Sequence, residues 1–595
     1  MTIFFCITLI ILFICQMMIF KSEENQNLIK WINLNVLLLM AYNLFFCVFL
    51  SFISIKITLL NLSILNVIVI ILLSFKIKKD GKIQKYNITK IDIWAVLVIF
   101  AIVLGIGIKQ FGLKMDGIKY NVTDSATHYL ASELFYDNSE ILYKENLDRI
   151  YFVGIEFLAP GAYVNTGILF KIFDSIIESS YFYIIYNIFN LFNLYLAGIL
   201  MYGLLIKNKS KNKILALIFA IIYMLGYPLN SMLSGFSYLS LGLNFIIGIL
   251  AIYKEDLNKY YKMTLLFLLD FGLIFTYYYF APMVYLAIFI QILLETRENK
   301  EKIFNKNNIL KVLFELILPG IVAVVYFMVL QYFKNGNRPV SAYSDLIATP
   351  GPIYKNIITN ILPFIILSIY YIFKCFKNKK SSLDSTMELT IIFFLIILFI
   401  GSYFKVVSEY YNYKIYNLLW ICVISIGYNS LITIEQKSNL VKRIISFIVS
   451  IYLIGVICSG IFDQKLLIFD IFRVNFQDIK ENWSLVSKGE IELLSYYNKN
   501  INKGVMNDNT MFLAHDGAGK QFWILAITKN MFNYIDVVYS EKLNSLQQFE
   551  ESDKKYIVIF KEDYDSDFDK IDSEIQKYNL NILSRNDEGI ILEKN

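Results

Sequence analysis

The chain has 595 residues, of which 57% are hydrophobic and only 17% are charged, whereas soluble proteins average about 25% charged residues. Together with a mean hydropathy of +0.54, this composition excludes an ordinary soluble enzyme and indicates a membrane protein. Two histidines are too few for a multi-histidine metal cage, and the net charge of +6 lies in loops, so it indicates no nucleic-acid partner.

Apolar stretches of about 17 to 25 residues, the length of a membrane-crossing helix, recur from Thr2 to Ile461. They predict a polytopic α-helical membrane protein with about 14 transmembrane helices. The eighth and ninth stretches are short and separated by the turn around Pro282, so they also fit a re-entrant pair. The fourteen stretches are Thr2–Phe20, Leu28–Ile55, Ile57–Phe75, Ile91–Ile108, Ser180–Ile206, Ile214–Met232, Tyr238–Tyr253, Met263–Phe280, Ala281–Leu294, Val312–Phe333, Asn356–Phe373, Glu388–Phe404, Tyr416–Ile434 and Ile444–Ile461.

The basic residues predict the orientation of these helices, because Lys and Arg in short loops stay on the cytoplasmic side. In the fourteen-helix arrangement all of the Lys/Arg-rich loops fall on one side; they are residues 76–90, 207–213, 254–262, 297–311, 374–387 and 435–443. The opposite, outer side then receives the loop from Lys109 to Pro160, the loop 334–355 and everything after Phe462.

The tail after Phe462 has ordinary polarity and alternates short strand and helix patterns. Strands are predicted at 511–514, 535–539, 556–561, 580–583 and 590–592, with helices near 521–527, 543–549 and 568–578. This order predicts a small extracytoplasmic α/β domain. The predicted domains are therefore N-terminal transmembrane helices (1–90), a transmembrane core with the outer loop 109–160 (91–462) and the α/β domain (463–595).

The first long outer loop contains Asp124 and His128, which are four residues apart. If residues 123–135 form a helix, both side chains project from one face, and a carboxylate and an imidazole share a site at the membrane surface. A helix cap by Asp124 and a packing role for His128 are the simpler alternatives. Asp116, eight residues earlier, is a second candidate carboxylate.

The sequence TDSATHYLASELF, with Asn138 and Ser139 after it and the apolar segment FLAPGAYVNTGILFKIF further on, resembles bacterial members of the GT-C membrane glycosyltransferases. The resemblance covers 120–173 more closely and 91–462 loosely. It implies a GT-C-like core, a polyprenyl-phosphate-linked sugar as donor, inverting transfer of a hexosyl or pentosyl group, and Asp124 as the essential acid. Three helices precede the family's first one, and no second acidic residue clearly pairs with Asp124. The metal requirement is therefore unknown, with a divalent cation (Mg²⁺ or Mn²⁺) left open.

Transfer from such a donor needs a general base for the acceptor hydroxyl and cations around the departing phosphate. Asp124 is the predicted base, with His128 as its acceptor-orienting neighbour. The predicted phosphate-binding residues are Lys414, Tyr411 and Arg338, and the predicted substrate groove contains Asp116, Tyr278 and Tyr410. An interfacial tyrosine belt with a snorkelling lysine and a solvated loop arginine are the alternatives.

The predicted function is transfer of a sugar from a polyprenyl-phosphate donor to an envelope glycan, lipid or protein. It takes place at the outer face of the bacterial cytoplasmic membrane and involves no nucleic acid. The alternative is a transporter or flippase of lipid-linked saccharides with an outer recognition domain. Carriers often place charges near the bilayer midplane, and here Asp270 is the one clear charge within an apolar stretch. The sequence identifies neither the sugar nor the acceptor.

Overall fold

The computed structural model describes residues 1–595 except 20–25, 81–83, 116, 121–123, 144–154, 156–157, 207–211, 299–304, 327, 330–356, 378–384, 405–408, 436–438, 464, 482–485, 503–508, 514–516, 530–535, 539–544 and 565–567. The helices of its first half are α1 Thr2–Ile19, α2 Leu28–Phe52, α3 Leu59–Asp80, α4 Lys90–Phe111, α5 Asp124–Asn138, α6 Pro160–Phe173, α7 Phe182–Leu205, α8 Lys213–Leu225, α9 Tyr227–Leu233, α10 Ser237–Tyr253, α11 Lys259–Tyr277 and α12 Ala281–Glu298. Two-residue strands β1 (Gln26–Asn27) and β2 (Tyr86–Asn87) pair in parallel.

The second half continues with helices and ends in a sheet. The helices are α13 Lys306–Val312, α14 Leu318–Val325, α15 Ile357–Lys377, α16 Thr386–Tyr403, α17 Glu409–Glu435, α18 Asn439–Ile461, α19 Asp470–Glu481, α20 Lys488–Asn500, α21 Gly517–Thr528, α22 Ser545–Glu551 and α23 Ile571–Lys577. The strands are β3 Thr510–Leu513, β4 Asp536–Val538, β5 Tyr556–Phe560, β6 Leu580–Asn586 and β7 Gly589–Lys594.

The fold is that of a polytopic α-helical membrane protein. Within the described residues, eleven helical segments are long and apolar enough to cross a membrane, and the shorter segments Ser237–Tyr253 and Ile358–Phe373 are also apolar. One of the eleven, Lys259–Glu298, runs for 40 residues and contains both α11 and α12. Each of the fourteen predicted stretches overlaps at least one helix in the described residues, but length and apolarity alone do not fix the number of crossings.

Burial separates a central group of helices from a peripheral one. In the segment Ser179–Leu205, which contains α7, 83% of the most apolar 18 residues are buried inside the protein. The corresponding share for α3 is 17%. The outward side chains of α3 include Leu72 and Phe75, which fits a helix that presents its apolar face to lipid. α7 instead contacts α10, α4 and α2, and it forms the centre of the helix packing.

Two helices of the loop predicted to lie outside, α5 and α6, pack against each other rather than extending a membrane helix. α5 contacts α6, and almost every residue of α5 from Ser125 to Phe135 is buried. Gly167 of α6 allows this approach, because a Cβ there would lie 2.4 Å from the ring of Phe135. A helix that is buried all round is held by its neighbours and not by its own amphipathic pattern.

The C-terminal region contains a five-stranded mixed sheet in the order β4-β3-β5-β7-β6. β3 is parallel to β4 and β5, whereas β7 is antiparallel to β5 and β6. Successive side chains alternate between two buried faces: Val558 and Phe560 of β5 join the main core, while Ile557 and Ile559 join a second core under α22 and α23. Each predicted element of the tail has a counterpart in this region.

Trp523 of α21 attaches this region to the membrane-embedded part. Its fully buried indole stacks on Tyr120 with ring centroids 6.0 Å apart and lies 5.3 Å from Tyr129 of α5. Tyr186 of α7 completes the cluster at 6.3 Å. Buried aromatic pairs of this kind add stability beyond the apolar area that they bury, so α21 is held firmly against α5.

Replacement of Trp523 by alanine is expected to destabilise the protein by about 3–5 kcal/mol and to loosen the C-terminal region. Limited proteolysis and thermal unfolding of the detergent-solubilised protein measure both effects. Trp94 is the matched control, because its side chain on α4 is 62% exposed and faces outward. Equal protease sensitivity of Trp523→Ala and Trp94→Ala would show that the aromatic cluster does not hold the two parts together.

Candidate functional site

The site begins where α5 begins. Asp124 is the first residue of α5, so its carboxylate lies at the positive end of the helix dipole. Tyr120, just ahead of the helix, donates its hydroxyl to Asn187 of α7 at 2.8 Å. Gly235, which has a φ of +69°, brings the turn before α10 against Ser125, because a Cβ there would lie 2.3 Å from that of Ser125. Only glycine fits easily in that position, and α5 is thereby fixed from two directions.

Lys414 of α17 faces this helix start. Its ammonium lies 3.9 Å from Asp124 Oδ2, which is within ion-pair range but too long for a hydrogen bond. The two side chains differ in exposure: that of Asp124 is 40% exposed, whereas that of Lys414 is 4% exposed. The carboxylate therefore meets solvent or a ligand while the ammonium lies beneath it.

Two aromatic side chains contact the buried ammonium, and a third packs on one of them. Lys414 Nζ donates a hydrogen bond of 2.6 Å to the hydroxyl of Tyr238. It also lies 4.7 Å from the ring centroid of Phe236 and 5.2 Å from that of Tyr238, and Tyr277 packs on Tyr238 at 5.5 Å. Cation–π contact and the ion pair together offset the cost of burying a charge.

His128 lies one turn after Asp124 and is buried. Its ring is 4.4 Å from that of Tyr238, and its Nδ1 has no hydrogen-bond partner within the part of the chain that the structure describes. Burial lowers the pKa of His128 to about 4; Asp124 opposes that shift and Lys414 adds to it. The imidazole is therefore neutral near pH 7, and one of its nitrogens can donate while the other accepts.

This pKa predicts an acid-sensitive contribution to stability. Because the folded-state pKa of about 4 lies below the ordinary 6.5, the unfolded chain binds the extra proton first as the pH falls. The contribution is complete above pH 6.5 and declines toward pH 4. Thermal unfolding of the wild type and His128→Gln across that range should show the wild type losing more stability on acidification. Parallel pH curves for the two proteins would contradict the lowered pKa.

The structure brings together only part of the predicted site. Asp124, His128 and Lys414 meet, and Tyr278 lies in the 3-10 turn Tyr278–Phe280 with its ring stacked on Tyr279 at 4.5 Å. The remaining predicted residues lie wholly or in part outside the described residues: Asp116 and Arg338 entirely, and Tyr410 and Tyr411 in their side chains.

Sequence reasoning missed Tyr238, Phe236 and Tyr277. Tyr238 begins the seventh apolar stretch, but the chain has 43 tyrosines, and many sit at the ends of apolar helices, where tyrosine is common. No sequence signal separates Tyr238 from the others, because its role depends on α10 starting beside α5 and α17. Those contacts join residues far apart in the chain.

The described residues around Asp124 do not fit a divalent cation. No group of three or more His, Cys, Asp or Glu side chains that could hold a metal occurs within the described ranges. Asp124 faces an ammonium instead, and hard divalent cations need several oxygen ligands. The nearest predicted carboxylate, Asp116, is outside the described residues.

No family model and no curated protein matches this chain. Solved structures with a related shape include ArnT from Cupriavidus metallidurans bound to undecaprenyl phosphate, at 9% identity and a TM-score of 0.42 over 84% of this chain and 97% of that one. Another is the Archaeoglobus fulgidus oligosaccharyltransferase, in its apo form (11% identity, TM-score 0.46, 78% of this chain and 70% of that one) and with Zn and sulfate (12%, 0.44, 79% and 68%). Similarity at this level transfers no activity to this chain.

Proposed function

We propose that this chain is an integral-membrane glycosyltransferase of GT-C type that takes its sugar from a polyprenyl-phosphate donor. The observation that carries the proposal is the pairing of a half-exposed Asp124 with a buried Lys414 at 3.9 Å. The sequence resemblance around residues 120–173 supports it, because that resemblance implies an essential acid at Asp124.

The pair supplies the two functions that inverting transfer needs. Asp124 accepts the proton of an acceptor hydroxyl while that oxygen forms its bond to the anomeric carbon. The bond from the anomeric carbon to the phosphate oxygen breaks in the same step, and its electron pair leaves with the phosphate. Lys414 and the Tyr238 hydroxyl stabilise the charge that develops there. The neutral imidazole of His128 orients the acceptor.

The donor chemistry follows from the orientation proposed for the chain. Nucleotide sugars are cytoplasmic, so an enzyme that acts at the outer face needs a sugar presented from the lipid. A lysine at the start of an apolar segment suits a phosphate at headgroup depth. We place Tyr411 and Arg338 at the same phosphate, and Asp116, Tyr278 and Tyr410 along the groove for the substrates.

The proposed setting is a bacterial cytoplasmic membrane, with residues 463–595 outside and an envelope glycan, lipid or protein as acceptor. Residues 1–90 then form additional N-terminal helices, and 91–462 form the catalytic core. None of the proposed catalytic steps requires a divalent cation.

A second candidate, carriage of lipid-linked saccharides, is favoured by Asp270 of α11. This side chain is fully buried, and within the described residues neither carboxylate oxygen has a hydrogen-bond partner. Buried acids within membrane helices often mark transport pathways. Asp270, however, belongs to neither the ion pair nor the aromatic contacts around Lys414.

Purified protein in liposomes distinguishes the two candidates. The assay supplies a polyprenyl-phosphate donor with a radiolabelled sugar and a cell-envelope extract as acceptor, with no ion gradient. The proposed enzyme releases unlabelled polyprenyl phosphate and labels the acceptor fraction. Movement of intact donor between leaflets, without any labelled product, would instead establish the carrier.

A further inference from the structure

A cavity of about 460 Å³ lies on the other side of α5, between that helix and the C-terminal region. Its walls come from α5, the turn before α7, α20 and the end of α21, and its volume falls within the roughly 300–1,000 Å³ of small-molecule sites. Six of the residues that line it are Glu133, Ser180, Ser495, Asn502, Thr528 and Lys529.

This cavity is separate from the Asp124 site. Glu133 follows Asp124 by nine residues, which at 100° per residue turns its side chain to the opposite face of α5, about 13 Å further along the axis. A molecule in the cavity therefore contacts the face of α5 opposite Asp124 and does not touch the Asp124–Lys414 pair.

Two asparagine side chains of the cavity wall are hydrogen-bonded to the C-terminal end of α21. Asn498 Nδ2 donates to the carbonyl of Ile527, and Asn502 Nδ2 donates to that of Thr528, each at 2.8 Å. These bonds satisfy carbonyls that the helix end leaves open. Lys529 follows with a φ of 51°, which turns the chain and directs its ammonium to Asp137 at 2.6 Å. The wall is thus preorganised.

Three buried oxygens on this wall have no hydrogen-bond partner within the described residues: Glu133 Oε2, Ser180 Oγ and Asn502 Oδ1. They come from three different elements that line one cavity. All three can accept a hydrogen bond, and a buried acceptor without a donor is costly. A ligand rich in hydroxyl groups supplies such donors.

The charges of the cavity favour a neutral ligand. The Lys529 ammonium lies 2.6 Å from Asp137 and 3.9 Å from Glu133. The Lys499 ammonium lies 2.9 Å from Glu178. Both ammonium groups are therefore balanced by carboxylates, and an anion gains little from them. The side chains of Ser495 and Asn498 add neutral polar groups to the wall, which pair with hydroxyl groups.

We infer that this cavity is a binding site for a neutral saccharide unit, held between α5 and the C-terminal region. The inference does not depend on Asp124 being catalytic. A glycan bound there would contact both α5 and α21, and so would tie the C-terminal region to the helix that begins with Asp124.

Saturation-transfer NMR on the full chain in detergent tests this site with glucose, galactose, mannose and N-acetylglucosamine at millimolar concentrations. At least one of the four should bind saturably to the wild type. Ser495→Trp, which fills the cavity, should abolish that binding, and Glu133→Gln should weaken it about tenfold through loss of a hydrogen-bond acceptor. The nearly isosteric Glu133→Gln keeps the test valid if the tryptophan variant does not fold.

Ser573→Trp is the control, because Ser573 is exposed on α23 and lies outside the cavity lining. Asp124→Asn should bind the sugar like the wild type. The inference is overturned if none of the four sugars binds, if Ser495→Trp and Glu133→Gln bind like the wild type, or if binding disappears in Asp124→Asn. Displacement of the sugar by inorganic phosphate would overturn the neutral character of the ligand.

Discussion

Replacement of Asp124 by asparagine is expected to lower the rate of sugar transfer by about 10²- to 10⁴-fold, the usual contribution of a general base. Asparagine has nearly the same shape but cannot accept the acceptor's proton. Because Asp124 is half-exposed and not hydrogen-bonded to Lys414, the variant should fold and reach the membrane. The measurement is the turnover of a labelled polyprenyl-phosphate sugar, together with thermal unfolding of the same preparation.

Asp174→Asn is the matched control for that experiment. Asp174 directly follows α6 and accepts a hydrogen bond from Tyr136 at 2.5 Å, which the asparagine carbonyl can still accept. Its transfer rate should remain near that of the wild type. Full activity in Asp124→Asn, or equal losses in both variants, would remove the assignment of Asp124 as the base.

Replacement of Lys414 by glutamine is expected to cost about 10²- to 10³-fold in kcat, the range for loss of one group that stabilises developing charge. The reason is that the ammonium is buried beside Asp124 and bonded to Tyr238, where a charge interacts more strongly than in water. Steady-state kinetics at varied donor concentration separates the loss in kcat from a rise in KM.

Lys465→Gln is the control, because Lys465 is exposed just after α18 and lies on the same predicted side. Tyr238→Phe tests whether the two groups act together: the double variant should lose less than the product of the single losses. A Lys414→Gln enzyme with wild-type kcat would show that the lysine only anchors α17 at the membrane surface.

The membrane-embedded helices could be predicted because length and apolarity are local properties of the sequence. Their internal breaks could not be placed as well. The predicted stretch Ile214–Met232 is divided at Gly226 into α8 and α9, and a π-helical turn, Leu313–Ile317, interrupts the stretch that begins at Val312. Both features depend on packing against neighbouring helices, so the hydropathy of the sequence does not indicate them.

The residues of the candidate site also differ in whether the sequence could predict them. The Asp124 and His128 pair could be proposed from spacing, since four residues make one helical turn. Tyr238 and Phe236 could not, because they reach Lys414 only through the packing of α10 against α17. The cavity between α5 and the C-terminal region could not be predicted either, because its walls come from residues as far apart in the chain as Glu133 and Lys529.

The side of the membrane on which α5 lies is the central claim, and cysteine labelling tests it most directly. The six native cysteines are replaced by alanine, and single cysteines are introduced by Asp137→Cys on α5 or Lys79→Cys on α3. A membrane-impermeant maleimide added to intact cells should label the first variant at once and the second only after the cells are opened. The reverse pattern would put the Asp124–Lys414 pair in the cytoplasm and contradict a donor presented from the outer face.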